Sequence, residues 1–599
     1  MARDKKSERP PVAPEVRRRV LILAVGFLLV QIVVLPGAAS PFRTPKDVLA
    51  LVLLLLVPGI SIAGQLLKGR LGFRWSALAT VLLALPLIQA VSAFWSASPR
   101  LALTSSFHTA IWIAGALWIA TTTGKERLRL VDATALGAAI SGVVLMAQAA
   151  GLAVFSLGPA GPSGRLNLTG LTGNPADLSM AAVLILPLVL TACAGKTESR
   201  FRWSLAILLT GAAVVSQTLT AFVALGLVWT TWLIQQRSRK LWITATATAM
   251  ILVAVGLFTG LDARIQRQFQ RLENGDWYFL LSARSDGWTA AGEMARDNPV
   301  LGTGASQFSH AYYPARIAWL DRTGSIGRRA ELATHFRFSH CDPLQMIAEL
   351  GFPALIWMIA LLVTIGNTRT RGDPLPPLAL AAFMPFAVLH FPTHLAVSLV
   401  PLVVTLGHIL ASGRGVVVEP RPWPRRAVAV LLMLAVLSGT YWQLHRLMLN
   451  LWRGGLNHAL TVMQTVDEPV RSQQAAVIES QILPRMPGLD EARPWLWRMV
   501  GQARLARGDD IGSETAFKSA MALWPHEEAE FGLGLALAAQ DRRFKQQGRT
   551  LDSRNRRGEA IVHLARVCRT NPALLELIEE DDLRRAVGEI VNAADRANR

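Results

Sequence analysis

The feature that most restricts this chain is a succession of apolar blocks, each long enough to span a membrane, separated by short loops that carry arginine. A hydrocarbon core takes about 20 apolar residues of helix, and backbone polar groups inside it must be satisfied within the segment. Blocks of that kind lie near residues 20–36, 47–67, 76–95, 105–123, 131–152, 176–194, 203–217, 218–235, 240–260, 346–366, 376–391, 394–412 and 426–445. The pattern predicts an all-α, polytopic helical membrane protein with about 12–13 transmembrane helices. Composition agrees: 52% of the 599 residues are hydrophobic and 17% charged, where a soluble domain carries about 25% charged residues.

Charge sets the expected orientation. The run 1–19 holds Arg3, Lys5, Lys6, Arg9, Arg17, Arg18 and Arg19, which predicts a cytoplasmic basic N-terminus followed by an uncleaved first helix rather than a signal peptide. Alternation then places loops 68–74, 125–129, 196–202, 237–240, 369–373 and 414–426 inside, and every one is basic. Loops 37–46, 97–100, 153–175, a large insert at 261–345 and everything after about 446 fall outside. The expected organisation is a membrane domain over 20–445 with its large periplasmic loop, then a soluble helical domain over 446–599. The blocks 203–217 and 218–235 have almost no connection, which predicts a tight turn around Gln217-Thr218-Leu219-Thr220. The formal net charge of +20 does not imply nucleic acid, because the excess arginine and lysine flank the spans and orient the protein in the bilayer. Three scattered cysteines, Cys193, Cys341 and Cys568, make no disulfide framework.

In the tail, Trp497-(x3)-Gly501-(x6)-Gly508 and then Phe517-(x2)-Ala520-(x4)-Pro525 resemble a tetratricopeptide repeat. Gly501 and Ala520 would let two helices approach while Trp497 and Phe517 fill the seam, and Ala560-(x3)-Leu564-(x7)-Pro572 echoes the second-helix spacing. Two units are fewer than the about three of a self-standing solenoid, so a generic helical hairpin domain stays open. Either way the tail is expected to dock or space, and is where a protein partner would attach.

Chemistry has to come from the outside loops. Asn174 is placed to cap the next helix with Pro175 at its first position, and free N–H groups there beside Arg165 would suit an anion; a plain helix start with a solvated arginine is the alternative. The large loop offers Arg284-Ser285-Asp286-Gly287-Trp288 and then Asn298-Pro299-Val300-Leu301-Gly302-Thr303-Gly304 with Phe308. Its glycines are too sparse for a nucleotide cradle. Arginines 284, 316, 322, 328, 329 and 337 make the loop basic, fit for a diphosphate-bearing substrate or for anionic headgroups. His340, in Ser339-His340-Cys341-Asp342-Pro343-Leu344-Gln345, is the side chain best suited to proton transfer near neutral pH. Asp342 and Glu349 lie near it in sequence, and a carboxylate at the imidazole would raise its basicity. The spacing of His335, His340, Cys341 and Asp342 matches no common zinc arrangement, so no metal and no cofactor is expected. His390 and His394 read as part of a helix-to-helix turn near the same surface.

Together these residues resemble the O-antigen ligase family. Arg165 with Gly173-Asn174-Pro175, Arg284-(x3)-Trp288 followed by Asn298 to Gly304, and Ser339-His340 with Leu344-Gln345 and Glu349-Leu350-Gly351 are similar to its motifs in order and topological place. The resemblance covers roughly 20–445. It implies a metal-independent glycosyltransferase of a bacterial inner membrane, taking a glycan from an undecaprenyl-diphosphate donor on the periplasmic face. The acceptor would be a lipid A core sugar for a ligase or a lipid-linked glycan for a polymerase. By the same resemblance His340 would be the general base, with Arg284, Arg165 and a large-loop arginine such as Arg316 holding the diphosphate. One departure stands out: the turn at Ser216-Gln217-Thr218-Leu219-Thr220-Ala221 lacks the arginine the family often carries there, which favours a polymerase or exopolysaccharide branch. A membrane transporter and a noncatalytic assembly protein of a polysaccharide export system remain the alternatives.

Overall fold

The computed structural model describes residues 14–68, 73–152, 154, 168–193, 200–236, 261–323, 336–367, 374–413, 416–418, 425–465, 470, 473, 476, 480 and 493–597. The basic run 1–13, the expected span 240–260, and Arg165, Arg328, Arg329 and His335 lie outside the described residues. Seven described helices are long and apolar enough to cross a membrane: Thr44–Leu67, Ala77–Phe94, Pro99–Thr121, Gly124–Ala149, Pro175–Cys193, Leu219–Gln236 and Arg425–His458. Three shorter apolar helices, Phe352–Asn367, Leu375–Leu389 and Ala396–Ser412, accompany them, as do Pro14–Ile32 and Arg200–Val215. The chain is therefore an all-α, multi-pass membrane protein.

Local chemistry starts and stops these helices. Ser76 caps Ala77–Val91 by accepting from the Ala79 N–H at 3.2 Å. Thr123 and Glu126 form a capping box at the start of Gly124–Ala149. Pro175–Cys193 is the axis of the bundle: every side chain from Pro175 to Leu190 is buried, as expected of a helix that is apolar all round. Arg425–Thr465 lies at the rim and leaves Leu431, Leu434, Leu437 and Tyr441 exposed, the face that lipid would cover. Between Arg200–Val215 and Leu219–Gln236 the chain turns at Ser216-Gln217-Thr218, with Gln217 left-handed at φ +52°.

Two three-residue strands, Phe73–Trp75 and Val416–Val418, pair antiparallel and join two of the basic loops at one end of the bundle. At the opposite end Arg43 reaches Asp177, and there the large loop and tail are built. The expected span 346–366 needs correction. Its first residues belong to a separate amphipathic helix, Asp342–Leu350, and the apolar helix begins at Phe352 after a break at Gly351, φ +64°.

The tail folds as successive helices, Arg493–Ala506, Asp510–Leu523, Glu527–Gln546, Thr550–Thr570 and Asp581–Ala597. Phe517 is fully buried, and a Cβ added at Gly501 would sit 2.9 Å from its ring. Leu564 packs on Gly534 in the same small-against-large manner. Trp497 does not fill the seam as expected: it is 37% exposed, because the Phe517 ring already occupies the gap between Gly501 and Gly532. The large-loop helix Phe308–Thr323 docks on this domain. Tyr313 donates to Glu530 at 2.6 Å, Arg316 to the Thr570 carbonyl at 2.8 Å, and Trp524 to the Ser309 carbonyl at 2.9 Å.

Candidate functional site

The closing motif of the large loop is a folded device. The Ser339 hydroxyl donates to the Cys341 carbonyl at 2.8 Å and accepts from the Cys341 N–H at 3.1 Å. That turn holds His340 left-handed, φ +60°, a conformation costing a non-glycine residue about 1–2 kcal/mol. Gln345 accepts from the Ser339 N–H at 3.0 Å and donates to Glu349 at 3.0 Å. Glu349 in turn accepts from the N–H groups of Ser306 at 2.7 Å and Phe308 at 3.1 Å. Gln345 and Glu349, one helical turn apart, thus bolt the histidine turn to the glycine turn at 302–306. Backbone bonds complete the joint: Thr303 N–H to Ala348, Gly304 N–H to Glu349 and Phe352 N–H to Val300. Gly302 is left-handed and lies against the Glu349 backbone, and a Cβ at Gly287 would sit 2.7 Å from the Ser339 carbonyl oxygen. The motif glycines are close-approach positions.

The His340 imidazole stands edge-on to Phe336 at 5.2 Å and Phe391 at 4.7 Å between ring centroids. Its Nδ1 is buried, with no hydrogen-bond partner among the described residues. The His390 ring lies 6.4 Å away, and Arg284 Nη2 is 3.4 Å from His390 Nε2. On the other side the Arg43 guanidinium lies 5.7 Å from the Phe391 centroid and holds Asp177 through Nε at 3.2 Å and Nη2 at 3.0 Å. Burial first, then the charges of Arg284 and Arg43, hold the imidazole down to about 3. At neutral pH it is a neutral ring.

This corrects the expectation that a carboxylate raises its basicity. Among the described residues no hydrogen bond joins Asp342 or Glu349 to His340. Asp342 instead accepts from the Thr393 N–H at 3.1 Å and the Thr393 hydroxyl at 2.7 Å, and lies 3.5 Å from His394 Nε2. Burial pushes Asp342 up to about 7 and His394 down to about 4. The Asp342–His394 pair therefore carries at most one negative charge near neutrality.

Arg284 is the first residue of the helix Arg284–Asp297, entered through two left-handed residues, Ser282 and Ala283. Arg284, Gly287 and Trp288 share the helix face turned to the Ser339 turn. Next to Arg284, the Ser285 hydroxyl and the Trp288 indole N–H are buried without hydrogen-bond partners among the described residues. Asn174 caps its helix, accepting from the Ala176 N–H at 2.9 Å. It meets the site indirectly, since the same first turn carries Asp177, the anchor of Arg43. Arg316 is elsewhere. It is buried between the large loop and the tail, bonded to Tyr312 at 3.2 Å and within 4 Å of Asp286 and Glu527.

Sequence reasoning missed Arg43 and gave little weight to His390 and His394. Arg43 stood in a short loop 134 residues from Asp177, with no local pattern to signal the pairing. The doubled histidine at 390 and 394 was a visible signal, but its spacing also fits a plain turn.

A multi-pass helical bundle with histidines and arginines gathered at one end, beside a large loop and a helical tail, is the class these observations define. Residues 204–359, about a quarter of the chain, match the family model described as O-antigen ligase. The matched stretch runs from the helix before the Gln217 turn, through Arg284, to the helix after His340. No curated protein matches the chain.

Proposed function

We propose that the protein is a membrane glycosyltransferase of polysaccharide biosynthesis that moves a glycan from an undecaprenyl-diphosphate donor onto an acceptor hydroxyl, a lipid A core sugar or a second lipid-linked glycan. The observation that carries this reading is the neutral His340, its Nδ1 buried and without a hydrogen-bond partner among the described residues, beside Arg284 and Arg43. In this reading His340 accepts the proton of the acceptor hydroxyl as its oxygen bonds the anomeric carbon. The bond from that carbon to the diphosphate breaks, and the electron pair leaves with the diphosphate. Arg284 and Arg43 hold the departing charge, with Ser285 and Trp288 as further donors. Arg43 then supplies the positive charge that the arginine-free turn at 217–221 does not. A bound diphosphate also offsets the arginine charges and raises the histidine toward its ordinary value, so basicity appears when the donor is in place. Arg165 would join the same group from the loop at 153–175.

The site faces the periplasm in this reading, with the N-terminus cytoplasmic and the tail outside. A transporter is the weaker reading: half-buried Asp47 and buried Asp177 sit in the first turns of their helices, whereas transport sites gather ionisable groups at mid-span. The test is a strain lacking the protein, complemented with wild type or His340→Ala, with lipopolysaccharide and carrier-linked glycans resolved side by side. Long chains trapped on the carrier over bare core identify a ligase, and accumulated single repeat units identify a polymerase. Unchanged glycans with His340→Ala would defeat the reading.

A further inference from the structure

Beyond the His340 site, a cavity of about 420 Å³ opens between the large loop and the tail. Its floor includes Phe338 and His394, and its far wall is made by Trp495, Arg498 and Trp524 of the tail with Arg453 from the end of the long helix. The floor adjoins the site: the Phe391 ring stands 4.7 Å from His340 and 5.0 Å from Phe338, and Phe338 stacks on His394 at 4.4 Å. Two rings, Phe391 and Phe338, therefore stand between the imidazole and the cavity.

The wall is built for an anion. Arg337, Arg453 and Arg498 line the cavity, and the Arg498 Nε is buried with no hydrogen-bond partner among the described residues. Burial and then the neighbouring Arg453 charge hold Arg498 down to about 10, so the two guanidinium groups repel in a partly desolvated place. Arg498 meets Glu528 on its outer side. Inside, the lining carboxylate Glu349 already accepts from two backbone N–H groups and Gln345. An anion between the arginines relieves that repulsion.

The wall also offers flat rings. Trp524 stacks on His310 with one face and has its N–H bound by the Ser309 carbonyl. Arg453 covers one face of Trp495, 4.5 Å from its centroid. Both rings present apolar surface with polar guanidinium groups beside it. This mixture suits a sugar ring, which has an apolar face and a polar rim, better than a lipid chain or a bare ion.

We propose that this cavity binds an anionic saccharide unit of the acceptor glycan beside the His340 site, its acidic group held by Arg453 and Arg498 and its ring stacked on the tryptophans. The word acceptor rests on the transferase reading; the binding itself does not. The test uses full-length protein in phosphatidylcholine nanodiscs and isothermal titration with trigalacturonate and, separately, with maltotriose. Trigalacturonate is expected to bind at least tenfold more tightly than the neutral sugar. Arg498→Gln and Arg453→Gln should each weaken it about tenfold, Arg453→Lys should recover most of the loss, and His340→Ala should bind as wild type. Equal affinity for both sugars, no binding of trigalacturonate, or arginine variants that unfold at the wild-type temperature and still bind fully would each overturn the proposal. So would loss of saccharide binding in phosphatidylglycerol nanodiscs, which would assign the cavity to lipid headgroups. Tight arginine-dependent binding by a protein that transfers no glycan in cells would sink the transferase reading and leave the subsite standing.

Discussion

At the scale of single residues, the site depends on a histidine kept neutral by its surroundings. The His340 imidazole is held below its ordinary value, so protonation is disfavoured in the fold. The free base present at neutral pH persists as pH falls through 6.5 and is lost only on approach to about 3 in donor-free protein. The kcat/KM profile for the donor should show no histidine limb near 6.5, whereas kcat should show one at higher pH than donor-free protein, because the bound diphosphate offsets Arg284 and Arg43. Asp342, pushed up to about 7, gains charge in the same range, so the profile is measured on Asp342→Asn as well; a limb near 6.5 in kcat/KM that survives this substitution would contradict the assignment. His340→Ala should lower the rate by about 10²–10⁴-fold, the usual weight of a general base, with membrane insertion unchanged on blots of membrane fractions. Arg43→Gln should lower it too, although no motif marks Arg43. Its anchor Asp177 follows Asn174, which was legible as a cap, but their convergence on His340 needed a fold to join loops 134 residues apart.

Among the elements, the joint between the helix Asp342–Leu350 and the turn at 302–306 aims the histidine. Gly302 is left-handed and pressed against the Glu349 backbone, so Gly302→Ala meets both a conformational and a steric penalty, together about 2–4 kcal/mol. Gly366, on the neighbouring apolar helix, has open space where a Cβ would lie. Gly366→Ala should therefore be neutral or slightly stabilising, and the pair is compared by thermal unfolding in detergent. The spacing of the loop glycines was already too sparse for a nucleotide cradle. That they serve helix-to-loop contact rather than phosphate was decided by packing. The same holds for Glu349, expected at the top of a span and found instead in a short helix ended by Gly351.

For the molecule as a whole, the tail is a wall of the cavity beside the site as well as an appendage. Arg316 ties it to the large loop, buried among Asp286, Glu527 and the Thr570 carbonyl. Arg316→Ala leaves buried carboxylates without their counter-charge, a loss of about 3–5 kcal/mol. It should loosen the tail, read as faster limited proteolysis, with activity falling in step. A diphosphate-binding role would lower activity without changing proteolysis. Phe517→Ala should cost the tail about 3–5 kcal/mol and act in the same direction.

The sequence by itself determined the class: apolar blocks of spanning length admit little but a helical bundle, since lipid offers no partner for an open backbone. It also showed a histidine, an arginine and several glycines in local patterns, because such residues are legible from spacing alone. Tertiary structure decided which groups meet. Arg43 came to the site, Arg316 went to the tail, and the carboxylates near His340 in sequence turned to Thr393 and Ser306. Such choices depend on long-range packing and on the desolvation of charges, and neither is encoded in the spacing of neighbours along a chain.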